Sequence, residues 1–453
     1  MSTQTQHRLI HEGRRCVSLA LPLVGAQLAQ AATGFVDTIV MGQLGNTSLA
    51  AGALGTTLYT ELLVVGTNLV ATVSLFIAEA HGAEQPDRAG RWLDQGIWLA
   101  IAIAAPVALL LWNVTPALRL LGQAPAVVSL SSVYLRAMAA AFPPALIFVA
   151  LRSFVSALSR PRIILVITLA GVGLNAMADE ALALGRWGFP ALGLPGIGWS
   201  TTVVHWSMTL ALLIYVLGRR HRRYRPLQTL HRPQLDRLWE LLRISVPAGI
   251  LSALETGLFA IVTIFAGQMG VVVLAAHQIA LQTVAVTFMV PLGIAQAATV
   301  RVGQSLGQRD WSTARLSGLV CLGLGGGFMG LMGVLILLLP TQLVSMYIDL
   351  ADPASQAVAT VAIALLKVGA IFQIVDGLQV IAVGALRGLK DTRIPMGIGI
   401  VAYWLIGVPL AYGTGFSLGW DGVGLWWGLA FGLAAAAIAL TWRFHRLSLK
   451  SVP

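Results

Sequence analysis

The chain has 453 residues, of which 57% are hydrophobic and only 10% charged, with a formal net charge of +11. A water-soluble protein carries roughly 25% charged residues, so this composition cannot cover a water-facing surface and points to a bilayer as solvent. The basic excess does not mark a nucleic-acid binder: its one dense run, GRRHRRYR at 218–225, lies between two apolar segments, where inner-leaflet headgroups are the nearer partner.

The N-terminal stretch MSTQTQHRLIHEGRRCVSLALPLVG has no small-residue cleavage site behind a short apolar core. It reads as a cytoplasmic lead into a first span, not a removed signal. Hydropathy then predicts twelve apolar segments, near 17–41, 50–79, 93–114, 126–157, 162–184, 196–217, 242–267, 273–303, 315–340, 355–386, 394–413 and 422–442. A helix needs about 20 apolar residues to cross, and several segments exceed that, which predicts tilted or bent helices. The alternating ten-residue strands of an outer-membrane barrel are not in evidence. The predicted fold class is therefore an all-α integral membrane protein with twelve transmembrane helices.

Lys and Arg orient it. Loops after even-numbered spans hold Arg88, Arg91, Arg160, Arg162, the run from Arg219 to Arg237, Arg309, Lys390 and Arg393, whereas loops after odd-numbered spans hold only Arg119 and Arg186. Both termini and the 218–241 loop are expected in the cytoplasm. The two cysteines, Cys16 and Cys321, imply no disulfide framework.

The chain repeats itself. GQLG at 42–45 overlays GQMG at 267–270, Pro22 overlays Pro247 and Gly82 overlays Gly307, all at an offset of 225. Later the offset becomes 231, with ALSRPRI (157–163) on GLKDTRI (388–394). Two halves of six spans each follow, 1–217 and 242–453, joined by a basic segment at 218–241. An even number of spans per half makes the repeat parallel, a pattern of secondary transporters with a substrate path between the halves.

Five carboxylates sit inside spans: Asp37, Glu61, Asp179, Glu255 and Asp376. Each costs about 2.5–3.5 kcal/mol at a helix centre. Glu255 is the deepest, about 13 residues into its span, which is near mid-membrane at 1.5 Å per residue. A low-dielectric site disfavours an ionised carboxyl, so such an acid can take up and release a proton during a cycle. With a second carboxylate and a few neutral oxygens it can instead hold Na⁺. Asp376 falls toward the cytoplasmic half of its span, so sharing a site with Glu255 calls for a bent helix or an earlier boundary. Asn175 and Asp179, at i and i+4, share one helix face and with Asp37 form a candidate polar site in the first half. The acids are not repeat mates: Asp37 overlays Val262, Asp376 overlays Ala145 and Glu255 overlays Gln30. Arg136 and Lys367 are repeat mates, with Glu61 as a candidate partner. His277 reads as a packed, hydrogen-bonded histidine in preference to a proton carrier. Phe259, His277, Gln278, Phe288, Met289 and Phe372 are candidates to line a substrate cavity.

No Walker loop, nucleophile elbow or Cys/His metal spacing occurs. The chain is read as a non-enzyme without a cofactor or structural metal, driven by an ion gradient.

FVDTIVMGQLG (35–45), LNAMAD (174–179), LETGLF (254–259), LAAHQIALQ (274–282), VRVGQSLG (300–307) and VDGLQVIAVGALRGLKDTRIP (375–395) together resemble the multidrug and toxic compound extrusion (MATE) transporters, in their NorM-type bacterial branch, over essentially the whole chain. The resemblance implies a V-shaped fold of two pseudo-symmetric six-helix bundles. It implies an antiporter of the bacterial inner membrane that exports cationic amphipathic drugs and dyes, antibiotics included, in exchange for H⁺ or Na⁺; a monomer is expected because the repeat already supplies two halves in one chain. By motif, Glu255 and Asp376 look like the family's cation-coupling acids in the C-terminal half. Asp37, Asn175, Asp179 and Thr201 look like its N-terminal polar cluster. Some Na⁺-coupled relatives place Tyr four residues before the tenth-span Asp; Phe372 stands there in this chain, which favours H⁺. The alternative within the superfamily is a flippase for lipid-linked precursors, which calls for a strongly cationic cavity. A membrane-embedded enzyme and a passive channel fit less well, the first for want of clustered His ligands, the second because unmatched acids on a repeat suit alternating access.

Overall fold

The computed structural model describes residues 3–120 and 124–450, and among these it is helical with no strand. Among the described residues, eleven helices are long and apolar enough to cross a membrane, and the pair Pro125–Ala139 and Phe142–Ala157, bent by 42°, makes a twelfth if taken as one span. That bend has a covalent cause. Pro143 and Pro144 open the second helix of the pair; prolines lack the N–H that would continue the preceding helix and press on its last turn.

The first helix, Thr3–Gln43, and the seventh span, Leu235–Gln268, have 41 and 34 residues and each carries an internal proline, Pro22 and Pro247. The chain forms two compact units, one being Gly25–Gly249 and the other Met1–Val24 together with Ile250–Pro453. Both boundaries therefore fall inside those two helices, just past the prolines, at the same offset of 225 that relates the repeats.

Within the unit Gly25–Gly249, the basic segment after Leu217 is docked on the third span, Pro86–Trp112. Asp94 accepts hydrogen bonds from Leu227 N at 2.8 Å, Thr229 N at 2.9 Å and Thr229 Oγ1 at 2.6 Å. Gln95 Oε1 accepts from Gln234 N at 2.9 Å, and Trp98 Nε1 donates to Leu230 O at 2.8 Å. Tyr224 Oη lies 3.0 Å from His81 Nδ1, and the Tyr224 carbonyl packs onto Gly90, where any Cβ would collide with it. Arg225 and Leu227 adopt left-handed φ values of 49° and 65° to present these N–H groups, a conformation that other contacts must hold in place.

In the other unit, the eleventh span (Arg393–Ser417) contains π-helical turns at Ile400–Gly407 and Gly413–Ser417. It packs on the twelfth, Asp421–Lys450, through glycines four residues apart. A Cβ on Gly424 would come within 2.5 Å of the Thr414 carbonyl, one on Gly428 would strike the Ala411 backbone, and one on Gly432 would lie 2.8 Å from Gly407 Cα. Thr414 Oγ1 donates to Gly424 O at 2.7 Å across the same seam. Small residues at this spacing let helix backbones meet in lipid, where packing replaces the hydrophobic drive.

Three outcomes are expected. Gly428→Val should cost at least the ~1–3 kcal/mol of overpacking, seen as a fall in thermal midpoint of the detergent-solubilised protein. Gly327→Ala, at a helical glycine with open space around it, should be neutral or better; equal effects would refute the seam. Asp94→Ala should release the docked segment at about 1–3 kcal/mol, so that trypsin cuts after Arg225 or Arg232 roughly tenfold faster or more. An unchanged cutting rate would show that Asp94 does not hold it.

Candidate functional site

The first cluster lies in the unit that contains Ile250–Pro453. Glu255 sits on the seventh span and is half-buried, while Asp376 on the tenth, Gln356–Gly388, is buried. The two carboxyls are close enough to act on one another electrostatically. Gln379, one turn beyond Asp376, reaches Glu255 with its side chain and donates from Nε2 to Tyr403 Oη at 2.6 Å. Tyr403 lies in the first π turn of the eleventh span and is fully buried. Its neighbour Trp404 donates from Nε1 to Leu254 O at 3.2 Å, which fixes the backbone beside Glu255. The Arg387 guanidinium, further along the tenth span, acts on Glu255 by charge. Asp376 Oδ1 and Gln379 Oε1 are buried without a protein partner. Two oxygens thus remain open beside two acids, a set that can take a proton or a small cation.

The aromatic candidates divide. Phe259 meets Phe372 edge to face at 6.0 Å, and Phe372 meets Trp426 at 5.4 Å. Trp426 Nε1 donates to His277 Nδ1 at 3.1 Å, and His277 Nε2 lies 3.0 Å from Thr263 Oγ1, whose own proton goes to Phe259 O at 2.9 Å. This network assigns His277 the neutral Nε2–H tautomer. Phe259, Phe372 and His277 therefore form one wall with Trp426, one turn below Asp376. Gln278 is exposed and Phe288 and Met289 are half-buried; among the described residues no side-chain hydrogen bond or ring contact joins these three to the wall.

The second cluster lies in the unit Gly25–Gly249. Asp37 on the first helix stands beside Asp179 and Asn175 of the fifth span, Arg162–Leu182. Ser200 on the sixth span, Leu194–Leu217, donates to Asn175 O at 3.4 Å and also reaches the Asp179 carboxyl. Among the described residues no hydrogen bond closes the group: Asp37 Oδ1, both oxygens of Asp179 and both amide atoms of Asn175 are buried and unpartnered. Thr201 is buried too, and its hydroxyl donates to Ile197 O at 3.0 Å on its own helix. Tyr134, hydrogen-bonded to Thr56 Oγ1 at 3.0 Å, and Tyr59, whose Oη is buried without a partner, stand in the same electrostatic neighbourhood.

Arg136 and Lys367 are both exposed; Arg136 Nε donates to Trp112 O at 3.2 Å, and Glu61 is exposed as well. The sequence did not single out Gln379, Tyr403, Ser200, Tyr59 or Tyr134. For Gln379 a signal existed: Gln373, Asp376 and Gln379 recur every three residues along one face of an otherwise apolar helix.

Comparison with known proteins shows the family. The MatE family model matches twice, over residues 22–179 and 247–413, starting at the repeat-related prolines. A "Probable multidrug resistance protein NorM" of Synechocystis sp. is 42% identical over 445 residues, covering 98% of this chain and 96% of the relative. One of the same name from Pseudomonas putida is 43% identical over 443 residues, covering 96% of each. Among solved structures, the eukaryotic MATE transporter AtDTX14 superposes with a TM-score of 0.86 at 18% identity, over 98% of this chain and 99% of that one, a likeness of fold. The doubled family match and the relatives together show that the chain belongs to the multidrug and toxic compound extrusion (MATE) family of transporters, in its NorM-named branch.

Proposed function

We propose that this MATE-family protein is an antiporter that exports cationic amphipathic compounds in exchange for H⁺, and that Glu255 and Asp376 carry the exchange. The observation behind the reading is the pair itself: two acids in electrostatic reach of each other, with Asp376 Oδ1 and Gln379 Oε1 left open. Ionised, the pair attracts a lipophilic cation. Protonated, it does not, so proton and drug compete for one site and each uptake drives the other's release. Aromatic faces add cation–π attraction.

The choice of H⁺ over Na⁺ rests on the oxygen count. A bound Na⁺ wants several oxygen ligands, by analogy with other hard cations. One turn before Asp376 the chain offers Phe372, packed against Phe259 and Trp426, and no oxygen. A proton needs only one acceptor. The proposal extends to setting: a monomer in the bacterial inner membrane with both termini in the cytoplasm, as the Lys and Arg distribution favours, taking no cofactor and no nucleic acid.

Glu255→Gln and Asp376→Asn should each cut cationic-dye export by about tenfold or more, since removing a buried charge partner costs roughly 2–5 kcal/mol. Both should flatten the dependence of export on pH. Export in membrane vesicles as a function of pH, with expression matched between variants, is the measurement; wild-type rates and pH dependence in both variants would refute the assignment.

A further inference from the structure

The only two cysteines of the chain lie 305 positions apart, and both are free and completely buried. They belong to the same compact unit, Cys16 on the first helix and Cys321 on the ninth span, Trp311–Leu338. Seven spans lie between the two helices in the chain, so they run parallel. Their register is set one turn earlier. Glu12 Oε1 accepts from Ser317 Oγ at 2.7 Å, and the Glu12 carboxylate is clamped by Arg301 through Nε to Oε1 and Nη2 to Oε2, each at 2.8 Å. Arg301 is braced in turn by Gln304 Oε1 at 2.8 Å. Cys16 follows Glu12 by four residues and Cys321 follows Ser317 by four. Parallel helices in contact at one turn bring the next turn's residues together as well, which sets the two thiols within interacting reach of one another. Cys16 Sγ also lies 3.9 Å from Glu12 Oε1.

The scaffold does not require thiols here. At the repeat offset of 225, Glu12 and Ser317 become Arg237 and Trp92, which meet with the guanidinium 5.6 Å from the ring centroid. The same helix contact is thus built in the other unit, and the positions matching Cys16 and Cys321 are Leu241 and Gly96. Apolar residues satisfy that place, so a facing pair of cysteines adds chemistry that packing does not need.

We propose that Cys16 and Cys321 are a redox-modifiable dithiol, joined into an intramolecular disulfide by small hydroperoxides. One sulfur attacks the peroxide O–O bond, becoming a sulfenic acid and releasing the alcohol, or water from hydrogen peroxide. The second sulfur then attacks the first and expels water, so the two thiols lose two electrons and two protons to one peroxide. Complete burial favours a small, neutral, membrane-permeant oxidant over a bulky charged disulfide. The product adds a covalent clamp one turn beyond the ionic one. The part of the first helix that precedes Pro22 cannot then leave the ninth span, and any step of a transport cycle that needs such a separation stops until the bond is reduced. In a reducing compartment the pair rests as the dithiol.

The test counts thiols in the full-length protein in native membranes. After treatment with cumene hydroperoxide, the protein is denatured and labelled with a PEG-maleimide that shifts its mobility once per free thiol. Wild type should go from two shifts to none, remain monomeric on a non-reducing gel, regain both shifts after dithiothreitol, and yield a cross-linked peptide containing Cys16 and Cys321 in mass spectra. Cys16→Ser and Cys321→Ser should each keep their single shift at the same dose. Retention of two shifts by wild type, their loss into an intermolecular dimer, or equal loss in the single variants would overturn the proposal; the wild-type peptide decides it should either variant not fold.

Discussion

A carboxyl inside a bundle of apolar helices has no water to turn to, and each one in this protein must be answered from within the chain. The answers are of two kinds. Glu12 receives a bidentate arginine and a serine hydroxyl, and Asp94 receives two backbone amides and a threonine hydroxyl. Those acids are satisfied, and they hold one element against another. Asp37, Asp179 and Asp376 keep buried oxygens with no protein partner. At about 2.5–3.5 kcal/mol for each charge near the membrane centre, such incompleteness is expensive, and in the proposed exchange a proton or a cation relieves it. The division between satisfied and open acids separates scaffold from site more sharply than burial does.

The scaffold is symmetric and the chemistry is not. Both compact units take over from one another inside a long proline-bearing helix at repeat-related positions, and the family match also begins at each of those prolines. Arg237 over Trp92 mirrors the register of Glu12 and Ser317. Yet the N-terminal cluster is built from the first, fifth and sixth spans, whereas Glu255, Asp376, Gln379 and Tyr403 come from the seventh, tenth and eleventh. Duplication supplied two bundles, and substitution gave each its own polar group. The π turns of the eleventh span fit this account: they set Tyr403 against Gln379 and Trp404 against the backbone next to Glu255, and π turns often mark functional sites.

Much of this was legible before any coordinates. Long apolar runs announce spans, the match of 22–42–82 with 247–267–307 announces the repeat, and an acid in such a run stands out because nearly everything around it is apolar. What was not legible depends on rotation and on distant pairing. Ser200 and Thr201 are adjacent in sequence, and only the helix rotation decides that Ser200 faces Asp179 while Thr201 turns back on its own carbonyl. Tyr59, Tyr134 and Tyr403 look like ordinary packing residues until their hydroxyl neighbours are known. The 218–225 run announces charge, but nothing in it announces that the following residues fold back onto Asp94, Gln95 and Trp98. Cys16 and Cys321 carry no spacing signal because they meet across seven intervening spans of chain.

The measurement that reaches the central claim most directly uses inside-out vesicles carrying the wild-type protein and a fluorescent cationic dye added outside. A pH gradient and a sodium gradient are imposed separately, and dye uptake is followed. The account predicts uptake driven by the pH gradient in the absence of sodium. Uptake driven by sodium alone, or none under either gradient, would contradict it.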